Sequence, residues 1–185
     1  MKKLWLLLLL VFAGCSKHTY YVLSSPHEIE NVKKEMKQNI GIETIDIPSY
    51  LQEGRVAVLR NDNQLVYFDD AIWAVDMQKD LTDGLIFDLQ KSLSSARVFH
   101  YPWDGQGKVD TIVAIKITRF IAQGNYVYLD AVVRIDKKDK IVSLKIPTDI
   151  HSKSKVIESM KEAFFALERE VINLLDDMHT AKKKR

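Results

Sequence analysis

Cysteine is nearly absent from this sequence, and this absence sets the first constraint on the fold. Of 185 residues only Cys15 carries a thiol, so no disulfide can form within the chain. A folded domain must therefore be held together by its core, for which 46% hydrophobic residues are sufficient. An excess of charge of one sign is also missing, because 27 basic residues stand against 25 acidic ones. This balance gives no indication of nucleic-acid binding.

Motifs of catalysis and of metal binding are missing as well. The five histidines form no pair at i, i+4 spacing, and there is no H-E-x-x-H, C-x-x-C or G-x-S-x-G motif. The seven glycines are scattered and form no phosphate-binding loop. An acidic pair, Asp69 and Asp70, precedes a predicted helix, and we expect it to cap that helix rather than to act as acid and base. The sequence therefore predicts no enzyme, no cofactor and no metal site.

The first fifteen residues have the pattern of a secretion signal. Lys2 and Lys3 precede ten apolar residues, 4–13, which is about half the length that a membrane-spanning helix requires. Gly14 then leads directly into Cys15, and this arrangement resembles a bacterial lipobox. The resemblance implies cleavage between Gly14 and Cys15 and attachment of lipid to Cys15. Three acyl chains there would hold the protein on a membrane, since two anchoring signals already make attachment stable. The alternative is a secreted protein or an N-terminal anchor with an incidental thiol.

The remainder of the chain divides into a tether, one domain and a tail. After the signal peptide, 1–14, we assign 15–27 to a lipidated tether with a short first strand, and 28–178 to a single domain. Residues 179–185 form a basic tail, which we expect to be solvated or to contact anionic headgroups or an acidic partner.

Two helices and an antiparallel meander are predicted within the domain. Large apolar residues recur every four positions from Met77 to Leu93, which indicates an amphipathic helix, and Gly84 within it suggests a close approach to a strand. A second apolar stripe predicts a helix from about 154 to 177. Alternating residues predict strands at 109–121, 125–135 and 140–147, joined by short turns. We therefore expect an α+β fold, a largely antiparallel sheet with two main helices packed on one face.

The outward positions of the meander hold a candidate interface. Phe120, Tyr126 and Tyr128 are expected on the face away from the helices, where an aromatic patch is typical of a protein contact. The alternative is ordinary aromatic pairing between strands on a solvated sheet.

Several segments carry a resemblance to a known family. The order of a lipobox cysteine, YYVL, IDIPSYLQEGRVAVL, the helix of residues 77–93 and a YPW tripeptide resembles the ABC-type transport auxiliary lipoproteins, the PqiC or YmbA-like family. The resemblance covers nearly the whole chain after Cys15. The residues that carry it, which we expect to be structural, are Pro48, Tyr50, Leu51, Arg60, Trp73, Tyr101, Pro102 and Trp103.

The resemblance implies an auxiliary protein of lipid transport. Members of this kind are expected to face the periplasm from the outer membrane, and Ser16, in place of a retaining Asp, permits export there. The implied partners are an MCE (mammalian cell entry) protein and the inner-membrane ABC or permease components of a phospholipid transport system, with the lipoprotein docking and positioning them and possessing no ATPase activity. A homo-oligomer is also compatible with the pattern. The alternative is a general envelope structural or assembly lipoprotein that binds another protein or the cell wall.

Overall fold

The computed structural model of the chain describes residues 18–24, 34–102 and 107–183. Within them it contains two α-helices, α1 (Met77–Ser92) and α2 (Lys153–Lys183), and a short 3-10 helix, Ser49–Leu51. The strands are β1 (Thr19–Tyr21), β2 (Lys34–Glu35), β3 (Asn39–Glu43), β4 (Arg55–Leu59), β5 (Leu65–Trp73), β6 (Leu93–Ser94), β7 (Arg97–Tyr101), β8 (Thr111–Gln123), β9 (Tyr126–Ile135) and β10 (Lys138–Pro147). The predicted signal peptide, Cys15 and Trp103 lie outside the described residues. No helix in these three ranges is long and apolar enough to span a bilayer.

Strand β8 is the centre of the main sheet. On one side it pairs along its length with β9, which pairs in turn with β10, and both pairings are antiparallel. On the other side β8 is shared by β3 near its start and β4 near its end, both parallel to it. Beyond these, β7 is parallel to β3, β5 is antiparallel to β4, and β1 is parallel to β5. The α+β class is confirmed, and the sheet is mostly but not purely antiparallel.

The turns of the antiparallel segments use residues that tolerate a left-handed backbone. Gly124 (φ 58°) lies between β8 and β9, Asp136 (φ 55°) lies between β9 and β10, and Asn63 (φ 63°) lies between β4 and β5. Glycine pays no steric penalty at positive φ, and Asn and Asp accept it more readily than other side chains. The predicted meander and its boundaries therefore agree with the structure within a few residues.

Phe120 does not lie on the outer face, so this part of the candidate interface was wrong. Its side chain is 0% exposed. The register between β8 and β9 shifts between Ile117 and Arg119, where β8 contains one extra residue. Such a bulge inverts the alternation of inward and outward positions along the strand. Phe120 and Ala122 consequently join the core, although strict alternation from Val113 to Ile117 placed them outside.

Helix α1 has the predicted apolar stripe, and its members are all buried in the core: Met77, Leu81, Leu85, Leu89 and Leu93, the last at its C-cap. Its cap differs from our expectation. Asp76 is the N-cap, and its side chain accepts a hydrogen bond from the Lys79 backbone N–H at 2.8 Å. Asp69 and Asp70 lie within β5 instead, because the chain remains extended through Trp73.

Helix α2 has the predicted stripe but is longer than expected. It continues through Lys183, so the tail that we assigned to 179–185 begins inside the helix. No glycine or proline follows Asp177, and the sequence therefore contains no residue that would stop the helix there. Both helices pack on the sheet and contact each other, and one continuous hydrophobic core fills the space between the two layers.

Candidate docking face and tether site

The outer face of the meander carries two tyrosines held between two cations. Alternate positions of β9 are buried, which leaves Tyr126 and Tyr128 partly exposed on the opposite face. Their ring centroids lie 6.2 Å apart at an interplanar angle of 59°. The Lys145 ammonium lies 3.8 Å from the centroid of Tyr126, and the Arg119 guanidinium lies 3.8 Å from that of Tyr128. We call these four residues the tyrosine face.

The bulge in β8 creates one half of this arrangement. Beyond it, Arg119 becomes the register partner of Asp130 and lies on the solvated side next to Tyr128. A hydrogen bond of 2.6 Å from Arg119 Nη2 to Gln123 Oε1 holds the guanidinium in place. Lys145 lies directly across from Tyr128 on β10. Cation–π contacts of this kind contribute about 0.5–1 kcal/mol each at exposed sites, so they favour this arrangement of the rings before any partner binds.

A shallow groove continues the outer face toward the other end of the meander. It has a volume of about 420 Å³, with Val132 and Ala114 in its floor. Two ion pairs line it: Lys116 Nζ lies 3.2 Å from an Asp46 carboxylate oxygen, and Arg134 binds Asp139 through two hydrogen bonds of 2.6 and 2.9 Å. The bidentate arginine lowers the pKa of Asp139 below its ordinary value.

The residues that carry the family resemblance mostly support the fold. Pro48 is the N-cap of the 3-10 helix, and Leu51 at its end is buried. The Tyr50 hydroxyl accepts a hydrogen bond from the Phe120 backbone N–H at 2.8 Å, and burial raises the pKa of this phenol. This bond ties the 3-10 helix to β8 immediately after the bulge.

Four further residues of this set lie at turns or strand ends. Trp73, 5% exposed, ends β5 within the core. Arg60 follows β4 in the exposed hairpin, where its backbone N–H donates to the Gln64 carbonyl at 2.9 Å. Tyr101 is joined to Pro102 by a cis peptide bond at the end of β7. Tyr101 also packs on Gly41, where any Cβ would lie 2.9 Å from the Tyr101 Cβ. The structure therefore places these residues on separate elements of the fold rather than in one site.

A site that our sequence reasoning missed holds the segment following β1 on helix α1. The buried Asp80 carboxylate accepts hydrogen bonds from the backbone N–H groups of Leu23 (3.0 Å) and Ser24 (3.1 Å) and from the Ser24 hydroxyl. One turn further along, Gly84 lies so close to Ser24 that a Cβ at Gly84 would be 2.7 Å from the Ser24 Cβ. We call this contact the latch. Gly84 was the only sequence signal for it, and the close approach is to Ser24 rather than to a strand.

Two acidic side chains lie buried between the helices. Glu168 on α2 is 1% exposed, and Asp88 on α1 is also buried. Burial, together with the neighbouring Asp88 carboxylate and a hydrogen bond to it, raises the pKa of Glu168 well above its ordinary value. In the described part of the chain, His, Cys, Asp and Glu side chains form no group that could hold a metal ion.

Comparisons with known proteins agree with this architecture. The family model described as "ABC-type transport auxiliary lipoprotein component" matches residues 21–175. A crystal structure of a Xanthomonas campestris protein assigned to family DUF330 is similar, with 12% identity, 90% of this chain and 99% of that chain covered, and a TM-score of 0.74. An uncharacterized protein of known structure has 14% identity, coverages of 86% and 99%, and a TM-score of 0.67. At these identities the likeness shows the fold alone. None of the curated proteins matches the sequence.

Proposed function

This chain belongs to the family of ABC-type transport auxiliary lipoprotein components, and from that premise we propose that it docks and positions an MCE lipid-transport system. In this proposal Cys15 carries the lipid that holds the protein on the periplasmic side of the outer membrane. The protein acts by binding its transport partner, and phospholipid moves through that partner.

The tyrosine face is the observation that carries the proposal. Tyrosine supplies a large, rigid and amphipathic contact area with little loss of conformational entropy, and tyrosine and arginine are, with tryptophan, enriched among the residues that dominate binding energy in protein interfaces. Here Tyr126 and Tyr128 already make cation–π contacts with Lys145 and Arg119. The two cations favour a partner surface with carboxylates at its rim.

The filling of the core favours docking over carrying. A carrier would enclose acyl chains between the sheet and the helices, and this space is where the continuous core lies. Phe120, Leu85, Leu89 and Leu167 are all fully buried within it. A lipid chain could enter only if such side chains were displaced, which costs packing energy at several positions together.

Binding of the MCE partner tests the tyrosine face. The double variant Tyr126→Ser/Tyr128→Ser should bind the periplasmic part of the cognate MCE protein about tenfold or more weakly, since truncated interface hot spots cost about 2 kcal/mol or more. The matched control is Phe87→Ser, which removes an aromatic side chain that is 57% exposed on α1. Its affinity should equal that of the original protein.

Thermal unfolding of both variants accompanies the binding measurement. Because all three substituted side chains are at least partly exposed, unfolding temperatures should remain close to the original. Unchanged partner affinity in a folded double variant would remove the tyrosine face from the proposal.

The anchor is tested by labelling and fractionation. Cys15→Ala should abolish incorporation of a palmitate analogue, because this cysteine provides the only thiol of the chain. The original protein should migrate with outer-membrane markers in a sucrose gradient, as the Ser16 position implies. Persistent labelling of the variant, or migration with inner-membrane markers, would contradict the anchor or the membrane assignment respectively.

A further inference from the structure

The chain between the proposed anchor and the first strand is short. Cys15 lies four residues before Thr19, where β1 begins. Four residues span at most about 14 Å in any conformation. The start of β1 must therefore stay within about 14 Å of the Cα atom of the residue that carries the lipid.

The latch prevents this segment from separating from the domain. Leu23 and Ser24 are held on α1 by Asp80, and β1 itself pairs with β5 in register, Tyr21 with Trp73. A further hydrogen bond of 2.7 Å runs from the Ala74 N–H to the Tyr21 carbonyl. The tether consequently enters the domain at a fixed place, and the surface beside it is fixed relative to the anchor.

The surface at this place combines apolar side chains with a cation. Tyr20 is 65% exposed and Val22, two positions along the extended chain and hence on the same side, is 40% exposed. Ile72 is the register partner of both Tyr20 on β1 and Arg55 on β4, so these three residues form a row across three strands on one face. Arg55 is exposed and lies 4.6 Å from the centroid of the Tyr67 ring. We call Tyr20, Val22, Ile72 and Arg55 the anchor-side patch.

We propose that the anchor-side patch lies on the bilayer that holds the lipid of Cys15. Tyrosine with adjoining aliphatic side chains suits the boundary between headgroups and acyl chains, and an arginine beside them binds lipid phosphate groups. The proposal rests on the lipid anchor of the proposed function. It adds that the domain has one orientation on the membrane rather than tumbling on its tether.

Because the protein is tethered to the membrane, a small patch is sufficient to orient it on the bilayer. Four side chains alone would bind a vesicle weakly, but a tether of about 14 Å keeps their local lipid concentration high, so that binding becomes intramolecular. The tyrosine face lies elsewhere on the sheet, because β9 is four pairings from β1 in the sheet order β1-β5-β4-β8-β9. Membrane contact and partner contact thus use different strands of one sheet.

Site-specific fluorescence in the full lipoprotein tests this orientation. The sulfur of a lipidated Cys15 is blocked, so Val22→Cys introduces the single thiol that a maleimide fluorophore can label. Ile141→Cys is the matched control, because Ile141 is 74% exposed on β10, the last strand in the sequence of pairings. Each labelled protein is reconstituted into vesicles of equimolar phosphatidylethanolamine and phosphatidylglycerol, with or without nitroxide-labelled headgroups.

The expected result is quenching at residue 22 and not at residue 141. Nitroxide lipids should lower the fluorescence of the Val22→Cys probe about twofold or more, since contact with headgroups places it within quenching range. Adding Tyr20→Ser and Arg55→Ser should remove most of this quenching while the protein still floats with the vesicles. Tyr20→Cys provides a second probe position if the label at residue 22 disturbs folding.

Each other outcome overturns the proposal in a recognisable way. Equal quenching at residues 22 and 141 in a protein that floats with vesicles would contradict the orientation and leave the anchor intact. A protein that does not float with vesicles would contradict the anchor itself, and the orientation with it.

Discussion

Replacing Gly84 by alanine tests the latch, because helix propensity and the contact with Ser24 predict opposite changes in stability. In a helix that is free of contacts, Gly→Ala is stabilising by about 1 kcal/mol. Here the new Cβ would lie 2.7 Å from the Ser24 Cβ. Carbon atoms pack favourably at about 3.5–4.0 Å, so Ser24 would have to move away by roughly 0.8 Å or more.

That movement weakens the hydrogen bonds to Asp80. Hydrogen bonds to a charged acceptor contribute about 1.5–3 kcal/mol each, and both the N–H and the hydroxyl of Ser24 donate to this carboxylate. Partial loss of the two outweighs the gain in helix propensity. We expect Gly84→Ala to lower the free energy of unfolding by about 1–2 kcal/mol, or the unfolding temperature by about 2–8 °C.

Urea unfolding of a chain that begins at Ser16 provides the measurement. The control is the same substitution in a Ser24→Gly background, where the opposing Cβ is gone and Gly84→Ala should become neutral or stabilising. The difference between the two backgrounds is the coupling energy of the contact. A stabilising Gly84→Ala in the original background would refute the reasoning.

Three further substitutions test packing, the buried acid and the bulge. Leu89→Ala should lower the free energy of unfolding by about 2–5 kcal/mol in urea titrations, because it leaves a cavity in the core, while Lys91→Ala on the exposed side of α1 should change it little; equal effects would contradict the assigned helix face. The raised pKa of Glu168 contributes stability that is complete below the ordinary carboxyl pKa and is lost as pH rises through the raised one. From pH 5 to pH 8 the unfolding temperature should therefore decrease more for the original protein than for Glu168→Gln, whose side chain cannot ionise. The same decrease in both proteins would argue against a raised pKa. Tyr50→Phe removes the acceptor of the Phe120 N–H and should cost about 1–3 kcal/mol in the same titrations; an unchanged stability would mean that water replaces the hydroxyl.

The elements that sequence could predict are those whose burial is periodic. The stripe of α1 and the alternation along β9 each arise from one buried face, and the period of the sequence reports that face directly. The turn between β4 and β5 has the same local origin, since Asn63 adopts a left-handed backbone that its side chain tolerates.

The errors arose where the period changes or where distant segments meet. The extra residue in β8 inverts the alternation, and the adjacent apolar residues Phe120 and Ile121 were its only trace in the sequence. The partners of the parallel strands are far apart along the chain: Tyr20 on β1 pairs with Ile72 on β5, and nothing local specifies this. Nothing local specifies the latch either, because Asp80 accepts its hydrogen bonds from residues more than fifty positions away.

Native mass spectrometry of the lipoprotein with its cognate MCE partner tests docking against carrying most directly. The full lipoprotein is extracted in detergent, and its spectrum is recorded alone and after addition of the partner. We expect a lipoprotein whose only lipid mass is that covalently bound to Cys15, and a complex with the partner that Tyr126→Ser/Tyr128→Ser weakens. One tightly held phospholipid for each lipoprotein chain, without a partner complex, would contradict it.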